Sequence, residues 1–278
     1  MLGLALLAGL AHLAADCEPL PGWERLFAAK PAVVWVGEVH GTAEEPKLFG
    51  DIVCLAAKSQ SPPLVALERD AQEQPLWDAF LQSDGAEVAR HAFLQGRAWN
   101  WEIQDGRSSK AMLALAERLR QLKRQGRILG VAVIQPKLDT PDAAEHEQRM
   151  ARAVTDAGAA HPGSMVLVLS GNAHARKGEG SARSQTYRLA AAYLPAASTV
   201  SVFIRSGPGE AWNCQEDGCG IHKMGGASEV ARSVSVEGAP SGFDALAFTG
   251  VPTSASPPAA RPATWSNLPQ ASAPATKP

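Results

Sequence analysis

The sequence predicts an α/β fold, a single domain with a largely parallel central sheet covered by helices on both faces. Two observations lead to it. Apolar runs rich in β-branched residues, suited to buried strands, recur at 32–36, 64–67, 128–134, 165–169 and 199–204. Between the first four of these runs lie segments with helical spacing, and strands that alternate with helices imply a parallel sheet. The chain's 278 residues suffice for one large α/β domain.

The first run, Ala32-Val33-Val34-Trp35-Val36, ends in Gly37-Glu38-Val39-His40-Gly41. Residues 48–58 then place apolar side chains on one broad helical face. Pro62 and Pro63 break that helix. The second strand, 64–67, runs into Glu68-Arg69-Asp70, and a helix over 74–81 follows. The stretch from there through His91 and Trp99 to Arg107 is less regular, and His91 is expected at the surface. Residues 108–125 form the clearest helix, with a stripe of Met112, Leu115, Leu119 and Leu122, cations at its end and Gly126 to stop it. Thr140-Pro141 reads as N-cap and first residue of a helix reaching Asp156. The fourth strand, 165–169, leads into Ser170-Gly171-Asn172-Ala173-His174. A helix over 187–193, a strand over 199–204, and short strands near 233–236 and 245–248 complete a domain spanning 20–250. Residues 252–278 are mostly Pro, Ala, Ser and Thr, a composition that reads as a disordered tail.

Net charge is -2 with no long basic run, which argues against nucleic acid as a partner. Residues 2–15 are apolar and too short to span a bilayer, and they match the core and cleavage region of a secretory signal peptide over 1–16, although no Lys or Arg precedes them. A buried N-terminal helix is the competing reading. Leu13-Ala14-Ala15-Asp16-Cys17 approximates a lipoprotein cleavage box, with Asp16 where a small residue is wanted. The expectation is export, to the periplasm or to the periplasmic side of a membrane held through a lipid on Cys17. Cys214 and Cys219 flank a polar turn that a local disulfide spans, leaving Cys17 and Cys54 as a second pair. A zinc site of Cys214, Cys219 and His222 ranks below this because it lacks a fourth ligand.

In a parallel sheet the carboxyl ends of the strands share one edge, which brings Glu38, His40, Glu68 and His174 within reach of one another. Two carboxylates and two imidazoles suit a divalent metal such as zinc, manganese or iron. They equally suit a metal-free site in which a histidine is the base and a glutamate orients it.

Gly37-Glu38-Val39-His40 and Gly171-Asn172-Ala173-His174 are two Gly-x-x-His motifs, each after a buried strand. With Glu68, they resemble the superfamily that unites ChaN-type haem-binding lipoproteins, Tiki-type metalloproteases and erythromycin esterases. The ChaN-like branch is nearest through Gln74-Pro75-Leu76, Phe80-Leu81, Trp99, Trp101, the run Asp105-Gly106-Arg107-Ser108-Ser109 and Gly242-Phe243-Asp244-Ala245. The likeness covers residues 31–250. It departs from the esterases in the short spacing of Glu38-Val39-His40. It departs from the family again where His146-Glu147, rather than an arginine and an acid, precede Met150-Ala151. His146 lies on one helical face with Met150 and is a supporting candidate.

The resemblance implies a binding protein for haem iron or a divalent metal serving iron uptake. His40 or His174 would be the axial ligand, and Trp35 or the Trp99–Trp101 pair the porphyrin's apolar face. The alternative it implies is a hydrolase of peptides or esters, in which a metal or His40 activates water, Glu38 or Glu68 accepts its proton and His174 steadies the metal or the oxyanion. The ligand on either reading is a small molecule or a peptide.

Overall fold

The computed structural model describes residues 17–59, 61–136, 142–182, 185–226 and 230–260. Its main sheet has seven strands: β1 (Val33–Glu38), β2 (Leu64–Asp70), β3 (Gly130–Gln135), β4 (Val166–Gly171), β7 (Thr199–Gly207), β10 (Ser233–Ser235) and β11 (Ala245–Pro252). They lie in the order β10-β11-β7-β1-β4-β2-β3. Every neighbouring pair is parallel except β10 with β11. The α/β expectation therefore holds, with one antiparallel edge strand. Two short hairpins stand outside the sheet, β5 (Glu179–Ala182) with β6 (Gln185–Arg188), and β8 (Gly209–Gln215) with β9 (Gly218–Met224).

Alternation along the strands sorts the core into two layers. Val34, Val36, Val65, Leu67, Leu167 and Leu169 face helices α1 (Glu44–Ser59), α2 (Gln74–Gln82), α3 (Glu87–Leu94) and α4 (Lys110–Arg124). Val33, Trp35, Ala66 and Val168 face α5 (Ala143–Ala159) and the four-residue α6 (Asn172–Ala175). Connections leaving β1 and β4 run in opposite directions along the sheet, so the crevice between their carboxyl ends is the topological switch point.

Local chemistry explains the helix ends. The Ser109 hydroxyl accepts from the Met112 amide and starts α4. The Asp142 carboxylate accepts from the Ala144 and Glu145 amides and starts α5. The expected cap at Thr140-Pro141 lies outside the described residues. Of the helix expected over 187–193 only a short 3-10 helix forms, Ala190–Tyr193, because β6 takes up the residues to Arg188. The Leu189 amide donates to the Gly178 carbonyl and the Ala190 amide to Glu147, which ties this segment to β5 and α5.

Residues 252–260 do not hang free, contrary to the expected tail. The Ser256 amide donates to the Gly41 carbonyl at 2.7 Å, and the Ser256 hydroxyl accepts from the Ala111 amide. The Lys110 amide donates to Pro257 O and the Ala259 amide to Ser108 O. Backbone hydrogen bonding compensates for the lack of apolar side chains. The remainder of that tail, from 261, lies outside the described residues.

Both cysteine pairs are disulfides, Cys17–Cys54 and Cys214–Cys219. The second closes the β8–β9 hairpin, so its sulfurs are not zinc ligands. The Cys17 sulfur is committed to Cys54 and is not free for a lipid thioether. Two disulfides favour an extracytoplasmic setting; residues 1–16, the expected signal peptide, lie outside the described residues. Cys17–Cys54 bridges a sequence separation of 37. Replacing both with serine is expected to lower stability by about 3 kcal/mol, read as a downward shift in the urea midpoint.

Candidate functional site

Each strand end at the switch point delivers one polar group. Glu38 is the last residue of β1, and its side chain is buried. Its Oε1 lies 3.0 Å from His40 Nδ1, while Oε2 is buried with no hydrogen-bond partner among the described residues. Glu68 lies in β2, where the β2–β3 register slips between Leu67 and Asp70. The Gly171 amide, at the end of β4, donates to Glu68 Oε2 at 2.7 Å. Three residues on, His174 sits in α6 and turns its Nδ1 to Glu147 Oε1 at 2.8 Å. Glu147 is buried on α5, and its other oxygen accepts from the Ala190 amide.

The result is two carboxylate–imidazole pairs facing one central carboxylate. His40 Nε2 lies 3.6 Å from Glu68 Oε2, and His174 Nε2 lies 3.6 Å from Glu68 Oε1. Both separations exceed hydrogen-bond range, so each Nε2 is free to engage a third party such as water. A side chain at Gly171 would press on the His40 imidazole. A Cβ on it would come within 3.0 Å of His40 Nε2 and 3.7 Å of Glu68 Oε2.

All four residues expected from the sequence thus converge. Four partners went unassigned. Arg107 donates from Nη1 to Glu68 Oε1 at 2.9 Å and is itself clamped by Asp105, with both carboxylate oxygens on its Nε. Glu147 orients His174. Glu45 accepts from the Val39 amide at 2.7 Å and from the Ser206 hydroxyl at 3.0 Å, which fixes the backbone next to His40. Signals for three of them are in the sequence: Glu147 heads the buried stripe of Met150, Ala151 and Val154 on α5, and Asp105 and Arg107 stand together in the run Asp105-Gly106-Arg107-Ser108-Ser109. His146 is half-buried, with its ring centroid 5.8 Å from that of His174. His91 is exposed on α3.

Charge balance decides where protons reside. Burial alone raises the Glu68 carboxyl, but the His174, His40 and Arg107 charges outweigh it and bring it down to about 2, so Glu68 stays ionised. Burial lowers the His40 imidazole, yet the Glu68 charge and the Glu38 hydrogen bond raise it to about 9. Burial lowers and Glu68 and Glu147 raise His174, with a net upward shift. Glu38 is pushed up, chiefly by burial, so the Glu38–His40 bridge retains a proton over a wide pH range. His146 is held below its ordinary value by burial and the His174 charge.

A resident metal does not match this geometry. Both Glu68 oxygens are already hydrogen-bonded, and the Arg107 guanidinium stands where a cation would be repelled. Among the described residues, no three His, Cys, Asp or Glu side chains are arranged to hold a metal ion. The surfaces considered for a porphyrin are mostly internal. Trp35 is fully buried and donates its indole N–H to Ser170 Oγ at 2.7 Å. Trp99 is fully buried under the Arg69 guanidinium, 4.3 Å from its ring, and Trp101 is half-buried with Arg97 over it.

Solved structures place this architecture. The chain has the erythromycin-esterase fold. A mutant of the erythromycin esterase EreC in its open conformation superposes with a TM-score of 0.59 over 84% of this chain and 94% of its own, at 11% identity. A succinoglycan biosynthesis protein gives a TM-score of 0.63 over 84% of this chain and 91% of its own, at 10% identity. ChaN of Campylobacter jejuni, solved with cofacial haem, reaches a TM-score of 0.38 over 72% of this chain and 90% of its own, at 14% identity, which is too low to argue from. No protein-family model and no characterised protein sequence matches the chain. At such identities the likeness speaks for the fold alone.

Proposed function

We propose that the protein is a metal-independent hydrolase that directs an activated water at an ester-type carbonyl. The observation that carries this is the pair of free Nε2 atoms converging on Glu68, each imidazole held from behind by a buried carboxylate. A carboxylate behind a histidine fixes its orientation and stabilises the imidazolium that forms when it takes a proton.

The two histidines divide the work because their environments differ. His174, its Nδ1 held by Glu147 and its Nε2 open to water, is the base, while His40, raised to about 9, carries the proton near neutrality. Water held at its Nε2 attacks the carbonyl carbon, and the proton passes to His174. His40 keeps its proton, donates a hydrogen bond to the developing oxyanion, and Glu68 remains ionised between them. As the carbonyl re-forms, the leaving oxygen takes the proton from His174. Haem or metal binding draws on the ChaN resemblance, and the occupied oxygens of Glu68 argue against it.

The test is a screen of aryl esters of short carboxylic acids and of peptide substrates. Ester turnover is expected, and turnover of neither class would overturn the reading. The rate should follow a bell-shaped pH profile. It rises as His174 loses its proton above the ordinary histidine range, and falls as His40 is deprotonated at about 9. A rate that keeps climbing beyond pH 10 would remove His40 as the proton-bearing partner.

A further inference from the structure

The carboxyl edge of the sheet has a second opening, unused by the chemistry described above. β1 pairs with β7 only as far as Gly37 opposite Phe203, whereas β7 continues beside β11 to Gly207. Past that point a cavity of about 400 Å³ opens, lined by Val39, by residues 203–206 of β7, and by Met224 and Gly226 at the end of β9. That size is within the range of small-molecule sites. Phe203, Ile204 and Met224 make its wall apolar.

Arg205 is the one fixed cation among these lining residues, and it is half-buried. Among the described residues no carboxylate pairs with it, and its guanidinium lies over the Phe203 ring, 5.8 Å from the centroid. Glu45 forms part of the lining but does not compete for Arg205. Its oxygens are engaged by the Val39 amide and the Ser206 hydroxyl, and burial raises its carboxyl to about 8, leaving it largely uncharged near neutrality. Val39 is the residue before His40, so an occupant of the cavity lies next to the catalytic edge.

We propose that this cavity holds the apolar body of a substrate that ends in an oxyanion, carboxylate or phosphate, with Arg205 as its anchor. A planar guanidinium suits either anion, and its aromatic neighbour keeps the fork oriented. That the occupant is a substrate rests on the hydrolytic reading above; that it binds at all does not.

Isothermal titration of the full chain with 4-phenylbutyrate, phenyl phosphate and the neutral 4-phenylbutyramide tests this. At least one anion should bind about tenfold or more tightly than the amide, since hydrogen bonds to charged groups are the stronger kind. Arg205→Ala should erase that preference and Arg205→Lys should retain part of it. Equal affinity for anions and amide, or a preference that survives in Arg205→Ala, would overturn the assignment. Binding needs no turnover, so the two readings fail separately. A protein that prefers anions but hydrolyses nothing keeps the anchor and loses the hydrolase; one that hydrolyses esters without the preference does the reverse.

Discussion

Glu68→Gln is expected to leave the protein folded and to lower kcat/KM for ester hydrolysis by about 1,000-fold. Glu68 is where every element of the site meets. It accepts from the Gly171 amide and from Arg107, and its charge faces both imidazoles. A glutamine keeps the shape but places an NH₂ against a donor it cannot satisfy. It also removes the charge that holds both histidines above their ordinary values. The falling limb of the pH profile should therefore move down from about 9 in whatever activity remains. Unchanged kcat/KM with an unmoved profile would show that Glu68 only supports the fold.

Gly41→Ala should have the largest effect on stability. Gly41 has φ +78°, and a Cβ there would lie 1.7 Å from the Trp212 carbonyl oxygen. Its own carbonyl accepts from the Trp212 and Ser256 amides, so neither neighbour can withdraw without losing a hydrogen bond. Backbone strain together with a backbone clash is expected to cost about 3 kcal/mol or more. For a domain of this size that lowers the thermal midpoint by roughly 6–12 °C. The loop that carries His40 moves with it, so activity should fall faster than the folded fraction. A midpoint within about 2 °C of the parent would mean the turn accommodates a side chain, against the geometry.

The parallel strands were legible because strands covered on both faces read as unbroken apolar runs, and β1, β2 and β4 occupy those runs to within one or two residues at their starts. The polar residues that break each run marked Glu38, His40, Glu68 and His174 as belonging to one edge. What the sequence concealed depends on long-range partners. β7 and β11 extend to Gly207 and Pro252 because each pairs with the other beyond the end of β1. Helix α3 follows a polar, glycine-containing turn and buries only Phe93, so its periodicity is faint. The tail beyond Pro252 lacks a core-forming composition, yet its backbone is held by Gly41, Ser108 and Lys110, which no local pattern reveals.

The same distinction applies inside the site. His40 and His174 follow buried strands and announce themselves. Glu147 and Arg107 act through helix α5 and through the loop before α4, and their meaning appears only once His174 and Glu68 are placed beside them. Asp105 and Glu45 have no chemistry of their own to advertise. One clamps a guanidinium and the other holds an amide.

The proposed activity is hydrolysis by two imidazoles around a carboxylate without a metal. Its most direct test is aryl-ester hydrolysis by protein dialysed exhaustively against a strong chelator, alongside His174→Asn and His40→Asn treated identically. Full activity is expected in the chelated parent, with a loss of about 100-fold or more in each variant. Activity that disappears on chelation and returns with zinc, manganese or iron would contradict it.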